Sequence, residues 1–442
     1  MDPDALLCPY CRGGTLKPAE GGLECAQCSR RFPNIGNIPC LVEDPGLWRE
    51  LWLSRLQDYL SVTELRVGTL RQEAGAVGLL ARTRNRVQRV AAALEEQRAA
   101  IDALFGPLRS LAGVAPREAI ATRPEPGRQA AILECYENVF RDWVWGQPEK
   151  EPLLALLEPL VPRELGRVAV FGAGAGRLAV DVHQVFGPTR TFALDINPLP
   201  FLIADKLLSG ETVALSEFPV DPNSDDEVVI PRRLTRPFPI REGFRLLFAD
   251  ALRPPFAHGS LDAVLTFWFI DAARTDLRET AAVINRALRQ GGLWINLGPL
   301  RFGQTLVRSH TIEEVLEIVE ERAFEVTSAG RADVPYFDSP VSGSRRNETI
   351  FDFVARKTGE TDLAEVPDML PPWVKDPRVP IPITPTLVSL GRTAVFTTAV
   401  LSAINGVRST EDIANALGGS FGVDPAVFRE QLRAFLAKLP AG

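Results

Sequence analysis

Between residues 167 and 355 short apolar runs alternate with helical ones, and this alternation constrains the fold more than any other feature of the chain. RVAVFG (167–172), TRTFALD (189–195), FRLLFAD (244–250), LDAVLTF (261–267) and GLWINL (292–297) read as five strands. Helical stretches near 176–186, 199–209 and 276–290 fill most of the gaps between them. Parallel neighbours need a crossover, usually a helix, so the pattern predicts an α/β fold with a doubly wound, parallel sheet. A helix at 311–321 and strands near 324–328 and 350–355 bring the expected sheet to seven strands. Ligands of such sheets sit outside the carboxyl ends of the strands, which is where chemistry-bearing residues are sought.

The first strand runs into Phe171-Gly172-Ala173-Gly174-Ala175-Gly176-Arg177. Glycines at such a turn let the backbone approach a ligand at a helix N-terminus. A dinucleotide fingerprint would want its third glycine where Arg177 stands. The GxGxG form is followed by Asp195 and Asn197 at the end of the second strand. It suits a ligand with ribose hydroxyls at one end and an amino acid at the other, S-adenosylmethionine rather than NAD. Phe248-Ala249-Asp250-Ala251 closes the third strand, placed to meet an adenine. For either acid the competing role is a helix N-cap or a surface turn.

Five of the six cysteines lie in the first forty residues, and Cys135 stands alone. Cys8-x2-Cys11 and Cys25-x2-Cys28 are spaced as two knuckles that aim four thiolates at one tetrahedral ion, so a structural Zn2+ is expected. Four protein ligands leave no open position for chemistry. Cys40, in Ile38-Pro39-Cys40-Leu41-Val42, falls outside the knuckle spacing and is expected as a buried apolar residue. The runs LLCPYCRGGTL, LECAQCSRRFP and NIPCLVEDP resemble the Trm-type zinc ribbon, which in other proteins is a small partner subunit of methyltransferases. That resemblance covers residues 5–45.

Hydrophobic residues make up 45% of the 442 and charged residues 24%, which excludes collagen-like, disordered and wholly membrane-embedded chains. A net charge of −7 gives no general attraction to nucleic acid or anionic lipid. No apolar run reaches the length of a membrane span, and residues 1–20 carry no signal-peptide pattern, so a cytoplasmic location is expected. Residues 46–130 read as a helical connector, with Arg82, Arg84, Arg86 and Arg89 close enough to share a helix face, which is either solvated or a phosphate site. The methyltransferase-like region spans 131–358. Its insertion at 211–243 is expected to be an ordered loop near the strand ends. A proline-rich linker (359–386) leads to a small helical or winged-helix domain (387–442), where NGVRSTEDIANAL and FGVDPAVFREQLRAFL resemble a PqqD-like peptide-binding module.

VFGAGAGRLAVDV, LTFWFIDAAR and WINLGPL, preceded by NVFRDWVWG, resemble the carnosine N-methyltransferase family of class I methyltransferases over residues 130–357. The resemblance implies that Arg141 binds the donor's carboxylate, with Asn138 at a donor-site position where the family has Gln; the loop Gly172, Ala173, Gly174, Gly176 and Arg177 is expected to cradle the donor. It further implies that Asp195 takes the ribose and Asp250 with Ala251 the adenine. Asp271 would hold the acceptor's amine or ring nitrogen beside the methyl group. Phe267, Trp268 and Phe269 could face a cationic sulfonium or acceptor through their rings, at least one of them being expected in the core. Where the family has a histidine after LGPL this chain has Arg301-Phe302, so His310 is a spatial candidate for its role. Arg301, Arg345 and Arg346 suggest an acceptor bearing a carboxylate.

The expected activity is methyl transfer from S-adenosylmethionine to an amine or imidazole nitrogen of a small molecule or dipeptide. A peptide or protein methyltransferase fed by the C-terminal module, and a non-catalytic scaffold with a degenerate fold, are the alternatives. The zinc ribbon and the C-terminal domain are the candidate surfaces for a protein or peptide partner.

Overall fold

The computed structural model describes residues 6–111, 136–162, 165–273, 275–303, 306–362 and 378–436 apart from 381, 384 and 406. Most of the expected linker, the end of the connector and Cys135 lie outside the described residues. The chain divides into two compact units, Met1–Val366 and Pro367–Gly442.

The first unit begins with four short antiparallel strands, β1 (Leu16–Ala19), β2 (Gly22–Cys25), β3 (Arg31–Ile35) and β4 (Ile38–Pro39). Two long helices follow, α1 (Pro45–Ala74) and α2 (Ala81–Leu104). Asp44 caps α1 by accepting from the Leu47 amide at 3.0 Å, and Pro45 stands at its first position, where the missing N–H costs nothing. The short α3 (Gly106–Arg109) closes this connector.

The seven-stranded sheet has the order β12-β13-β11-β10-β5-β6-β9. Its members are β5 (Arg167–Phe171), β6 (Arg190–Asp195), β9 (Phe244–Phe248), β10 (Leu261–Phe267), β11 (Leu288–Gly298), β12 (Phe324–Tyr336) and β13 (Arg346–Lys357). The five strands from β11 to β9 run parallel, whereas β13 lies antiparallel between β11 and β12. This reversed final hairpin on a doubly wound sheet is the class I methyltransferase architecture. Both faces are covered: Val168 and Val170 of β5 enter one apolar core, Ala169 and Phe171 the other. The covering helices are α6 (Arg177–Phe186), α7 (Pro198–Leu208), α8 (Leu277–Ala287) and α9 (Ile312–Glu321). Thr311 and Glu314 start α9 with a capping box.

The cysteine-bearing sheet docks on the edge strand of the large one. Leu41 donates to the Phe248 carbonyl at 2.7 Å and Cys40 bridges Phe248 in parallel, so the chain after β4 extends the sheet beyond β9. Leu7 donates to Pro255 at 2.9 Å, and Asn37 bonds Asp205 of α7. Cys40 is buried in the core, as expected.

The insertion corrects the sequence reading. Rather than a loop alone, it contains β7 (Val213–Glu217) paired antiparallel with β8 (Ile230–Leu234). Val213, Leu215 and Leu234 are buried, and the Ser216 amide donates to Gln97 of α2 at 2.9 Å, so α2 provides the surface that makes a two-stranded ribbon stable. Arg82 and Arg89 of α2 are engaged by Asp225 in the insertion. The second unit consists of α10 (Pro385–Ala403), α11 (Thr410–Gly418) and α12 (Pro425–Leu436) around Val400, Ile413, Phe428 and Leu432. Among its described residues there is no strand.

Candidate active site

At the carboxyl ends of β5 and β6 the glycine loop adopts the conformation that only glycine takes without strain. Gly172, Gly174 and Gly176 have φ of 65°, 58° and 80°. A Cβ on Gly172 would lie 2.5 Å from the Phe269 ring, so this residue also lets the segment after β10 close over the loop. The Gly174 amide donates to Asp195 Oδ2 at 2.8 Å and the Asn197 amide to Oδ1 at 2.8 Å. Burial raises the Asp195 pKa, opposed by these backbone donors. Asn197 spends its carboxamide oxygen as the N-cap of α7. Asp250 Oδ1 accepts from the Leu252 amide at 2.9 Å, a turn role that coexists with its place at the end of β9, and Ala251 is buried.

The other wall of this half is a five-residue π-turn, Arg141–Trp145, following α4 (Tyr136–Phe140). Such turns are uncommon and concentrate at functional sites. Gly146 ends it because a Cβ there would meet the Arg141 carbonyl at 2.1 Å. The Trp143 indole donates to the Ala175 carbonyl at 3.0 Å, stapling the turn to the glycine loop. Arg141 is paired with Asp142 and lies 5.2 Å from the Tyr336 ring centre. Asn138 Oδ1 is buried with no partner among the described residues, an unmet acceptor of the kind an ammonium group satisfies. Arg177 points elsewhere: its side chain is buried in bonds to Asp181, Gln147 and the Asp142 carbonyl. Phe267 is packed in the core, whereas Phe269 meets Phe171 edge-on at 6.1 Å.

Asp271 lies just past β10, and its Oδ2 accepts from the Arg301 amide at 3.1 Å. Desolvation pushes its pKa above the usual carboxylate range. Between Phe267 and Asp271 the backbone makes an uncommon turn at Trp268, φ 49°, made room for by Gly298. His310 stacks edge-on against Phe302 at 5.2 Å, and its Nε2 has no partner among the described residues. Arg345 lies 3.4 Å from Asp338, and Arg346 lies over the Tyr336 ring at 4.7 Å.

The four knuckle cysteines converge, with all Sγ atoms within 4.8 Å of one another. Cys8–Cys28 and Cys11–Cys25 are 3.8 and 3.6 Å apart. A tetrahedral zinc with Zn–S bonds of about 2.3 Å needs sulfurs separated by about 3.8 Å, so the cluster fits that ion.

The carnosine N-methyltransferase family model matches residues 228–358. No curated protein matches the chain. Among solved structures, Haemonchus contortus phosphoethanolamine N-methyltransferase 2, in complex with phosphomonomethylethanolamine and S-adenosylhomocysteine, is 17% identical with a TM-score of 0.35, over 53% of this chain and 58% of its own. A complex of the Haloferax volcanii Trm112 methyltransferase activator with a methyltransferase gives 15% and 0.35, over 54% of this chain and 100% of the matched one. The fold assignment rests on the strand order and the reversed hairpin, not on these likenesses.

The chain carries an S-adenosylmethionine-dependent methyltransferase domain.

Three side chains of that domain escaped the sequence reading. Tyr336, at the end of β12, stacks on Trp268 with ring centres 5.2 Å apart and planes 11° apart. Glu348 of β13 accepts from the Trp268 indole at 2.5 Å and pairs with Arg301. Glu149, buried in α5 (Gln147–Leu157), accepts from the Asp338 amide at 2.6 Å, holding the turn that follows Tyr336. None belongs to a motif. A signal existed only in the long final strands, whose register brings residues 336 and 346 opposite each other.

Proposed function

We propose that the domain transfers a methyl group to an amine or imidazole nitrogen of a small molecule or dipeptide, with Asp271 as the catalytic residue. The observation that carries this reading is a half-buried carboxylate, oriented by the Arg301 amide, at the mouth of the strand next to the glycine loop. Asn138, Arg141, Gly172, Ala173, Gly174, Asp195, Asp250 and Ala251 would hold the donor. The donor supplies an electrophilic methyl group on a sulfonium.

Asp271 accepts a hydrogen bond from the acceptor's N–H, turns the nitrogen lone pair toward the donor side, and takes the proton the nitrogen sheds as it is alkylated. Alignment of this kind is where most of the rate gain of a displacement arises. Partial burial raises the Asp271 pKa, which makes it a stronger base than a solvated carboxylate, and its negative charge stabilises the cation that forms before the proton passes to it. Phe269 packs against Gly172 of the glycine loop on the same side.

We also infer a structural zinc on Cys8, Cys11, Cys25 and Cys28, in a ribbon module spanning residues 1–45. The ion would hold the segment that covers the β9 edge. Metal analysis should return one zinc per chain, and chelation should lower the melting temperature of the first unit. A metal-free protein of unchanged stability would remove the ion from the account.

The activity itself is tested by incubating the full chain with methyl-labelled S-adenosylmethionine and cell extract separated by size. Label should enter the small-molecule fraction and vanish with Asp271→Ala. Label in proteins, or label indifferent to Asp271, would overturn the reading.

A further inference from the structure

Glu348 is a buried acid of the acceptor side that the catalytic proposal leaves without a task. Its side chain is 6% exposed, yet the cation that neutralises it, Arg301, is 60% exposed. A carboxylate so far removed from water requires a positive partner. A mostly solvated arginine, by contrast, is held by little and leaves at small cost. The pair is therefore asymmetric: the acid is fixed and the base can be exchanged.

The fixed end is well anchored. Glu348 sits on β13 and takes the Trp268 indole N–H at 2.5 Å, while the Trp268 ring lies flat on Tyr336. The exchangeable end is tied to the catalytic proposal through its backbone, since the Arg301 amide donates to Asp271 Oδ2 at 3.1 Å. One residue thus touches both carboxylates, one with its main chain and one with its side chain. Other charges near this wall are the guanidiniums of Arg141 and Arg346, both over the Tyr336 ring.

We propose that Arg301 and Glu348 are specificity-determining residues that read the acceptor by exchange of an ion pair. The acceptor's ammonium group replaces Arg301 on Glu348, the freed guanidinium takes the acceptor's carboxylate, and a second nitrogen of the acceptor is left to Asp271. No bond is made or broken in the exchange, and total charge is unchanged. An acceptor with an ammonium but no carboxylate would take Glu348 and leave Arg301 to solvent, and one with a carboxylate alone would find Glu348 still held by Arg301, so only an acceptor bearing both charges makes both ion pairs. This rests on the reading of Asp271 as the acceptor's residue.

The test uses the full chain, labelled S-adenosylmethionine and the small-molecule fraction of a cell extract, before and after methyl esterification of its carboxyl groups. Wild type should lose at least tenfold of its incorporation on esterification. Arg301→Gln and Glu348→Gln should each raise the extract concentration needed for half-maximal labelling at least tenfold while the plateau falls less. Glu348→Asp should recover part of that loss, and S-adenosylhomocysteine affinity should stay within twofold throughout. Esterified extract labelled as well as free extract, or variants that lower the plateau without moving the half-maximum, would overturn the proposal. Donor binding with no small-molecule label would overturn the acceptor reading and this proposal with it. Absence of donor binding in the wild type would instead overturn the catalytic reading of the domain.

Discussion

The two halves of the candidate site are built from different kinds of sequence. The donor half is local: the Gly172–Gly176 loop, Asp195 and Asp250 each follow directly on a strand end, and backbone amides hold both oxygens of Asp195. The acceptor half is assembled over distance: Trp268, Arg301, Tyr336 and Glu348 meet through side chains, 80 residues separating the indole from its carboxylate. A half fixed by main-chain geometry suits a ligand common to many enzymes. A half fixed by side chains on the final hairpin can change its acceptor without disturbing the first.

That division can be broken experimentally, and the largest effect should come from the acid between the halves. Asp271→Ala should reduce turnover by about 10²–10⁴-fold, the range for loss of a positioned acid or base, without weakening donor binding. Steady-state rates beside calorimetric titrations separate the two quantities. Asp195→Ala should do the reverse, weakening donor affinity by about 10–100-fold, as expected for hydrogen bonds to a charged acceptor, and leaving the acceptor's KM alone. Trp268→Phe keeps the stack on Tyr336 but removes the indole N–H from Glu348. It should raise the acceptor's KM several-fold, about 1 kcal/mol, with donor affinity unchanged.

The smallest effect is in pH. Asp271 must be ionised to accept a proton, and burial raises its pKa. Activity should therefore fall on acidification at a higher pH than for a solvated carboxylate, as an acid limb in the kcat profile. Asp271→Asn should abolish that limb along with most of the rate, and a limb that survives the substitution would belong to another group.

The same division explains what could be read in the chain. The five parallel strands were visible because buried parallel strands are continuous apolar runs, and three of the covering helices carry their own caps at Asn197, Asp276 and Thr311, whereas the final hairpin was expected only near 324–328 and 350–355 and runs well beyond both. The four cysteines were visible because ligand spacing is itself a local property. The insertion ribbon was missed because β7 and β8 are stabilised by α2, more than a hundred residues earlier. Glu149, Tyr336 and Glu348 were missed for a related reason. Nothing near them distinguishes them from surface residues: Tyr336 and Glu348 are brought together with Trp268 by the antiparallel register of β12 on β13, and Glu149 is placed by its bond from the Asp338 amide beyond β12. Arg177 misled in the opposite direction, since it follows the glycine motif in sequence while its side chain turns into a buried charge network with Asp181.

The claim that the two halves act separately is tested most directly by titrating S-adenosylhomocysteine into Asp271→Ala and measuring the heat. The account predicts stoichiometric binding with a Kd within twofold of wild type. A tenfold loss of affinity would show that Asp271 belongs to the donor half, and the division drawn between the two would be wrong.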